Sequence, residues 1–102
     1  MKYNVILAPS FIKTLRYTLN QYKYFSTTYA TMIEKRVYES INFLSLFPFC
    51  APSIKLKGKS SDYRKFIIKK RFLIIYQIIN SDINLLYFID GRQSPKNYFK
   101  NI

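Results

Sequence analysis

The chain has 102 residues, 49% of them hydrophobic, with two glycines and four prolines. That suffices for one compact domain over residues 1–102 with a real core, and excludes extensive disorder. Seventeen Lys and Arg against five Asp and Glu give a net charge of +12, which selects polyanions or acidic proteins as partners. With no histidine and a single cysteine, an internal disulfide and a zinc site are excluded, the commonest general base is missing, and no cofactor is expected.

In chain order, Asn4 to Leu7 is predicted as a short strand stopped by Pro9, and Ser10 as the N-cap of a helix. Phe11, Ile12, Leu15, Leu19 and Tyr22 recur at helical spacing, with Lys13, Arg16, Asn20 and Lys23 on the other face, so an amphipathic helix should run to about Tyr24. Ser26-Thr27-Thr28 offers the next caps. Ala30, Ile33, Val37, Ile41 and Leu44 then mark a longer helix ending near Leu46. The short break predicts an antiparallel helical hairpin.

Phe47-Pro48 ends the second helix. Cys50, between Phe49 and Ala51, is expected as a small buried hydrophobe. A loop carrying Lys55, Lys57 and Lys59 should lead to three strands: Tyr63 to Ile68, Phe72 to Ile79 and Ile83 to Ile89. Lys69-Lys70-Arg71 and Asn80-Ser81-Asp82 supply the turns. The middle strand is apolar on both faces except for Tyr76 and Gln77, so it should be central. Residues 92–102 form a tail, with a helical turn expected after Pro95. Strand, two helices, then three strands reads as an α+β domain, its two-helix hairpin packed on a mostly antiparallel sheet (β-α-α-β-β-β). The start, Met1 to Leu7, has no signal-peptide pattern. No run reaches the roughly 18 apolar residues needed to cross a bilayer. A cytoplasmic location with no membrane association is therefore expected.

Charge is uneven: residues 1–52 carry +4 and residues 53–102 carry +8. Arg64 and Lys65 are adjacent on a predicted strand, so they face opposite sides and only one can enter any given site.

This element order resembles the RelE/ParE toxin family over nearly the whole chain. The matching pieces are Ala8-Pro9-Ser10 after the opening strand, Phe47-Pro48 after the second helix, and Tyr63-Arg64-Lys65 opening a strand. Leu73-Ile74-Ile75-Tyr76 matches the core strand, and Phe88-Ile89-Asp90-Gly91-Arg92-Gln93 matches the end of the last strand. The resemblance implies a growth-arresting, plasmid-stabilising toxin of a type II toxin–antitoxin module, silenced in a hetero-oligomer with a cognate acidic antitoxin. Two branches stay open. The ParE-like branch inhibits DNA gyrase, and the long helical hairpin and sparse sheet cations favour it. The RelE-like branch is a metal-independent endoribonuclease acting on mRNA at the ribosome. In that branch Arg64 falls where the family has a sheet lysine, and Arg92 and Tyr98 have the spacing of the family's Arg–Tyr pair.

RNA cleavage needs an acid, a base and cations on the phosphate. Without histidine, the acid and base would be Lys or Tyr, whose usual pKa near 10 is lowered by neighbouring positive charge. Arg64 and Arg92 would hold the phosphate, and Tyr98 would be the acid or base. Aligned on Tyr76, a second sheet lysine of the family is replaced by Phe66 and an arginine by Leu73. Arg71 or Lys69 could substitute from the turn. Binding of gyrase, ribosome or nucleic acid would fall to Lys55, Lys57, Lys65, Lys69, Lys70, Arg71 and Lys96. A third reading is a non-catalytic basic nucleic-acid-binding module, because such clusters hold phosphates without sequence preference.

Overall fold

The computed structural model describes residues 2–54 and 62–91. The described elements are β1 (Asn4–Leu7), α1 (Pro9–Phe25), α2 (Thr27–Leu46), β2 (Ser53–Ile54), β3 (Tyr63–Ile68), β4 (Phe72–Ile79) and β5 (Asp82–Asp90). Three of the predicted strands, β1, β3 and β4, match the expected bounds, and β5 is one residue longer at each end. Two helices lie with a five-stranded, mostly antiparallel open sheet of order β1-β5-β4-β3-β2. β1 pairs in parallel with β5, and the other neighbours are antiparallel. β4 is central, as its two-faced apolarity predicts. The two-residue strand β2 was not expected. Among the described residues no helix is long and apolar enough to cross a membrane.

The start of α1 corrects the expected cap. Pro9 takes the first helical position, where its fixed φ fits and its missing N–H costs nothing. Ala8 is therefore the N-cap, without a side-chain bond. Ser10 lies inside the first turn and turns its hydroxyl to the sheet instead. Ser26 alone separates the helices. Its N–H donates to the Tyr22 carbonyl, closing α1, and its Oγ accepts from the Tyr29 N–H at 3.1 Å, opening α2. One extended residue thus makes the expected hairpin.

Alternation assigns the sheet faces. Phe72, Ile74 and Tyr76 of β4 pair with Ile68, Phe66 and Arg64 of β3. The apolar members of this row pack with Phe11, Ile33, Val37 and Leu44 from the helices. Each fully buried large side chain contributes about 1.5–3 kcal/mol. β5 changes phase halfway. Ile75 pairs with Tyr87 but Tyr76 with Leu85, so Leu86 is an extra, bulged residue. Ile83 and Leu85 face the helices before it, Phe88 and Asp90 after it. Helix α1 satisfies the backbone around the bulge. Ser10 Oγ donates to the Leu86 carbonyl at 2.6 Å, and the Phe88 N–H donates to Thr14 Oγ1 at 2.9 Å.

The segment after α2 is pinned from below, the Tyr76 hydroxyl donating to the Pro48 carbonyl at 2.7 Å. Pro48 and Ala51 are buried, whereas Cys50 is exposed. The expected burial of Cys50 is thus corrected. The bend over residues 47–51 directs Pro48 and Ala51 inward and leaves the two residues between them, Phe49 and Cys50, at the surface.

Candidate functional site

The second face of the sheet, away from the core cluster, carries the polar side chains that the core cannot hold. On β3 the alternation that turns Arg64, Phe66 and Ile68 to the helices turns Tyr63, Lys65 and Ile67 the other way. Cross-strand pairing then sets three rows: Lys65, Ile75 and Tyr87; Tyr63, Gln77 and Asn84; and, towards the β3–β4 turn, the apolar row of Ile67, Leu73 and Ile89. Lys65 and Tyr87 flank Ile75 from either side, roughly 10 Å apart at ordinary strand spacing. Lys65, Gln77, Asn84 and Tyr87 are half-buried, and Tyr63 and Ile75 are buried. The accessible groups are one ammonium, two amides and the Tyr87 phenol. They can donate hydrogen bonds to a phosphate or to a protein surface.

Arg64 is directed elsewhere. Its Nη1 donates to the Ala51 carbonyl at 2.7 Å, its Nη2 meets Asp62 at 3.3 Å, and its guanidinium lies 5.1 Å from the centre of the Phe49 ring. It braces β3 against the chain leaving α2. Of the adjacent pair, Lys65 is the one on the second face.

The β3–β4 turn separates its three cations as well. Lys69 and Lys70 are exposed at the tip, both with left-handed backbones, φ 54° and 59°. Such conformations cost an L-residue about 1 kcal/mol or more. Arg71 folds back inside. Its Nη2 donates to the Tyr22 hydroxyl at 2.6 Å, its Nη1 to the Tyr29 hydroxyl at 3.3 Å, and its Nε lies 3.9 Å from Asp90 Oδ1. The rings of Tyr22, Phe72 and Tyr29 surround the guanidinium at 5.2 to 5.9 Å. The Tyr22 hydroxyl in turn donates to Asp90 Oδ2 at 2.7 Å. Arg71 thus ties both helices to the end of β5, rather than presenting its charge at the tip beside Lys69 and Lys70.

Two phenols carry displaced titrations. Burial pushes the Tyr22 phenol well above its usual range, reinforced by its bond to the Asp90 carboxylate and opposed by Arg71. Burial likewise pushes Tyr76 up to about 12, with Arg64 opposing. Both move away from neutrality, opposite to what a general acid or base needs. Among the described residues no group of His, Cys, Asp or Glu could hold a metal ion. Arg92, Tyr98, Lys55, Lys57 and Lys96 lie outside the described residues.

Gln77, Asn84 and Tyr87 were missed by the sequence reading. Gln77 had a signal, as the one amide in an apolar strand. The Tyr22–Arg71–Asp90 cluster had none, because its members are 49 and 68 residues from Tyr22. No protein-family model matches the chain, and no curated protein matches it.

Proposed function

We propose that this chain is the toxin of a type II toxin–antitoxin module of the RelE/ParE kind, and that it arrests growth by binding DNA gyrase rather than by cutting RNA. It would act in the cytoplasm and be silenced by an acidic antitoxin. The strand–hairpin–sheet order supports the family, with two helices on one sheet face and a second face that mixes polar and apolar rows. One observation carries the choice of branch. Of the sheet and turn arginines that a nuclease would aim at a phosphate, Arg64 and Arg71 are held by contacts within the chain. Lys65 is the cation left on the second face among the described residues. A single lysine amid amides and one phenol suits a protein-binding surface better than a phosphate-cleaving one.

Inducing the chain in bacteria tests this, with plasmid supercoiling and pulse-labelled protein synthesis followed together. The expected result is loss of negative supercoiling and filamentation while translation continues. Purified chain should likewise inhibit gyrase in vitro. Immediate translational arrest with new mRNA 5′ ends would move the chain to the RelE-like branch. Normal growth at high expression would refute the toxin reading. Salt-sensitive nucleic-acid binding would then favour the non-catalytic basic module.

A further inference from the structure

We infer that the outer edge of β3 from Lys65 to Ile68 is a docking site for an extended, acidic peptide segment of a partner, which adds to the sheet as a strand. Only the assignment of that segment to a neutralising antitoxin rests on the toxin reading. The site itself rests on the edge.

Among the described residues the edge is open for a definable reason. β2 pairs only through Ser53 and Ile54, opposite Arg64 and Tyr63. The last bond of that ladder is the Lys65 N–H to the Pro52 carbonyl, at 3.2 Å. Proline has no N–H to return to the Lys65 carbonyl, and the chain before Pro52 bends away. In an antiparallel sheet alternate residues point their backbone groups to the same side. The Lys65 carbonyl and both the N–H and C=O of Ile67 therefore face outward, with no partner among the described residues. The Ile67 side chain is 51% exposed. An edge of unpaired groups beside an exposed apolar side chain invites another strand.

A groove of about 330 Å³ runs along this edge, between β3 and α2. Phe43 and Phe66 make it apolar, and Arg36 and Lys69 put cations along it. Glu39 also lines it and sits 4.0 Å from Arg36, both side chains more than half exposed. Lys65 and Lys70 add positive charge beside the same edge. A strand laid there has backbone bonds to make, apolar walls for alternate side chains and cations for acidic ones.

Charge selects the occupant. A second copy pairing β3 to β3 would bring two sets of Lys65, Lys69 and Lys70 together, on chains of +12 each. An acidic segment meets attraction at the same place. The other sheet edge, β1, is flanked by Lys2, Asn4 and Asn42 and has no comparable cluster of cations.

Backbone amide exchange of the intact chain, resolved residue by residue by NMR, tests the site. The probe is a blocked ten-residue peptide of alternating Glu and Val. Its controls are the Lys/Val analogue and a version with proline at every second valine. The Glu/Val peptide is expected to slow exchange at Ile67 at least tenfold and leave Val5 and Leu7 unchanged, with both controls inactive. Ile67→Pro removes an outward N–H while sparing the β3–β4 ladder, and should weaken binding at least tenfold in a chain whose circular dichroism is native. Arg36→Glu combined with Lys69→Glu tests the charge without touching the backbone, and should weaken it at least fivefold. Protection at Val5 and Leu7 instead, equal binding of the Lys/Val peptide, or concentration-dependent protection of Ile67 without peptide would overturn the inference. Growth arrest is scored separately. Peptide binding at Ile67 in a chain that arrests nothing would sink the toxin reading and leave the edge site standing. Arrest without protection at Ile67 would do the reverse.

Discussion

Arg64 and Lys65 are neighbours in sequence with opposite duties, and replacing each by alanine separates them. Arg64→Ala removes the bond to the Ala51 carbonyl at 2.7 Å, the ion pair with Asp62 at 3.3 Å and the packing over Phe49 at 5.1 Å. A hydrogen bond from a charged donor is worth about 1.5–3 kcal/mol. An ion pair whose carboxylate is more than half exposed adds less than about 1 kcal/mol, and a cation over a ring about 0.5–1 kcal/mol. These overlap, so about 3 kcal/mol is the expected loss, or a fall in Tm of about 12 °C or more for a chain of this size. Arg64→Lys should recover only part of it, because an ammonium cannot fork between Ala51 and Asp62. Lys65→Ala removes a half-exposed side chain with no partner among the described residues, so its stability should change by less than about 0.5 kcal/mol. Thermal melts paired with the inducer dose that halves growth rate give both readouts. Arg64→Ala should lose stability and keep its potency per folded molecule. Lys65→Ala should melt normally and need at least tenfold more protein to act. An Arg64→Ala chain with an unchanged Tm and no activity would refute this division, and would return Arg64 to the target-binding surface.

Three further outcomes follow from the same contacts. Tyr22→Phe deletes the hydroxyl shared by Arg71 and Asp90; it should cost about 2 kcal/mol in urea unfolding, and a double-mutant cycle with Arg71→Ala should show the two changes to be non-additive. Gly91→Ala places a methyl 2.6 Å from the Arg71 carbonyl oxygen, a backbone atom that cannot step aside; a loss of about 1–3 kcal/mol is expected from the urea midpoint. The Tyr76 phenol titrates at about 12 in the folded chain against 10 ordinarily, so the folded state holds its proton more tightly than the unfolded state. That stability is present in full below about pH 10 and is lost as pH rises through about 12. Urea midpoints taken across that window should fall for the wild-type chain and fall less steeply for Tyr76→Phe.

Much of the architecture is legible in the sequence because its signals are local. The 3.6-residue stripes from Phe11 to Tyr22 and from Ala30 to Leu44 fix both helices. The apolar runs broken at Lys69-Lys70 and Asn80-Ser81 fix β3, β4 and β5. Strand β2 escapes, since two residues beside Pro52 have no period. The faces of β3 escape too: Tyr63-Arg64-Lys65-Phe66-Ile67-Ile68 carries apolar residues at both parities, so alternation alone cannot say which cation faces the helices. The phase change at Leu86 is hidden in a near-continuous apolar run from Leu85 to Ile89. Arg71 reads as one more cation in a turn, because its partners, Tyr22, Tyr29 and Asp90, reach it only through tertiary packing. The candidate site was legible as a set of charges, but not as a sorted one.

The bulge at Leu86 has a consequence for how the chain folds. A strand with two halves of opposite parity has no single preferred register, and an apolar run offers little to choose between slipped pairings. Here Ser10 and Thr14 mark the one register in which the Leu86 carbonyl and the Phe88 N–H both find partners. Helix α1 therefore acts as a gauge for a strand more than seventy residues away. Sheet and hairpin are thereby tied together by contacts of long sequence separation, the kind whose loop-closure cost slows folding.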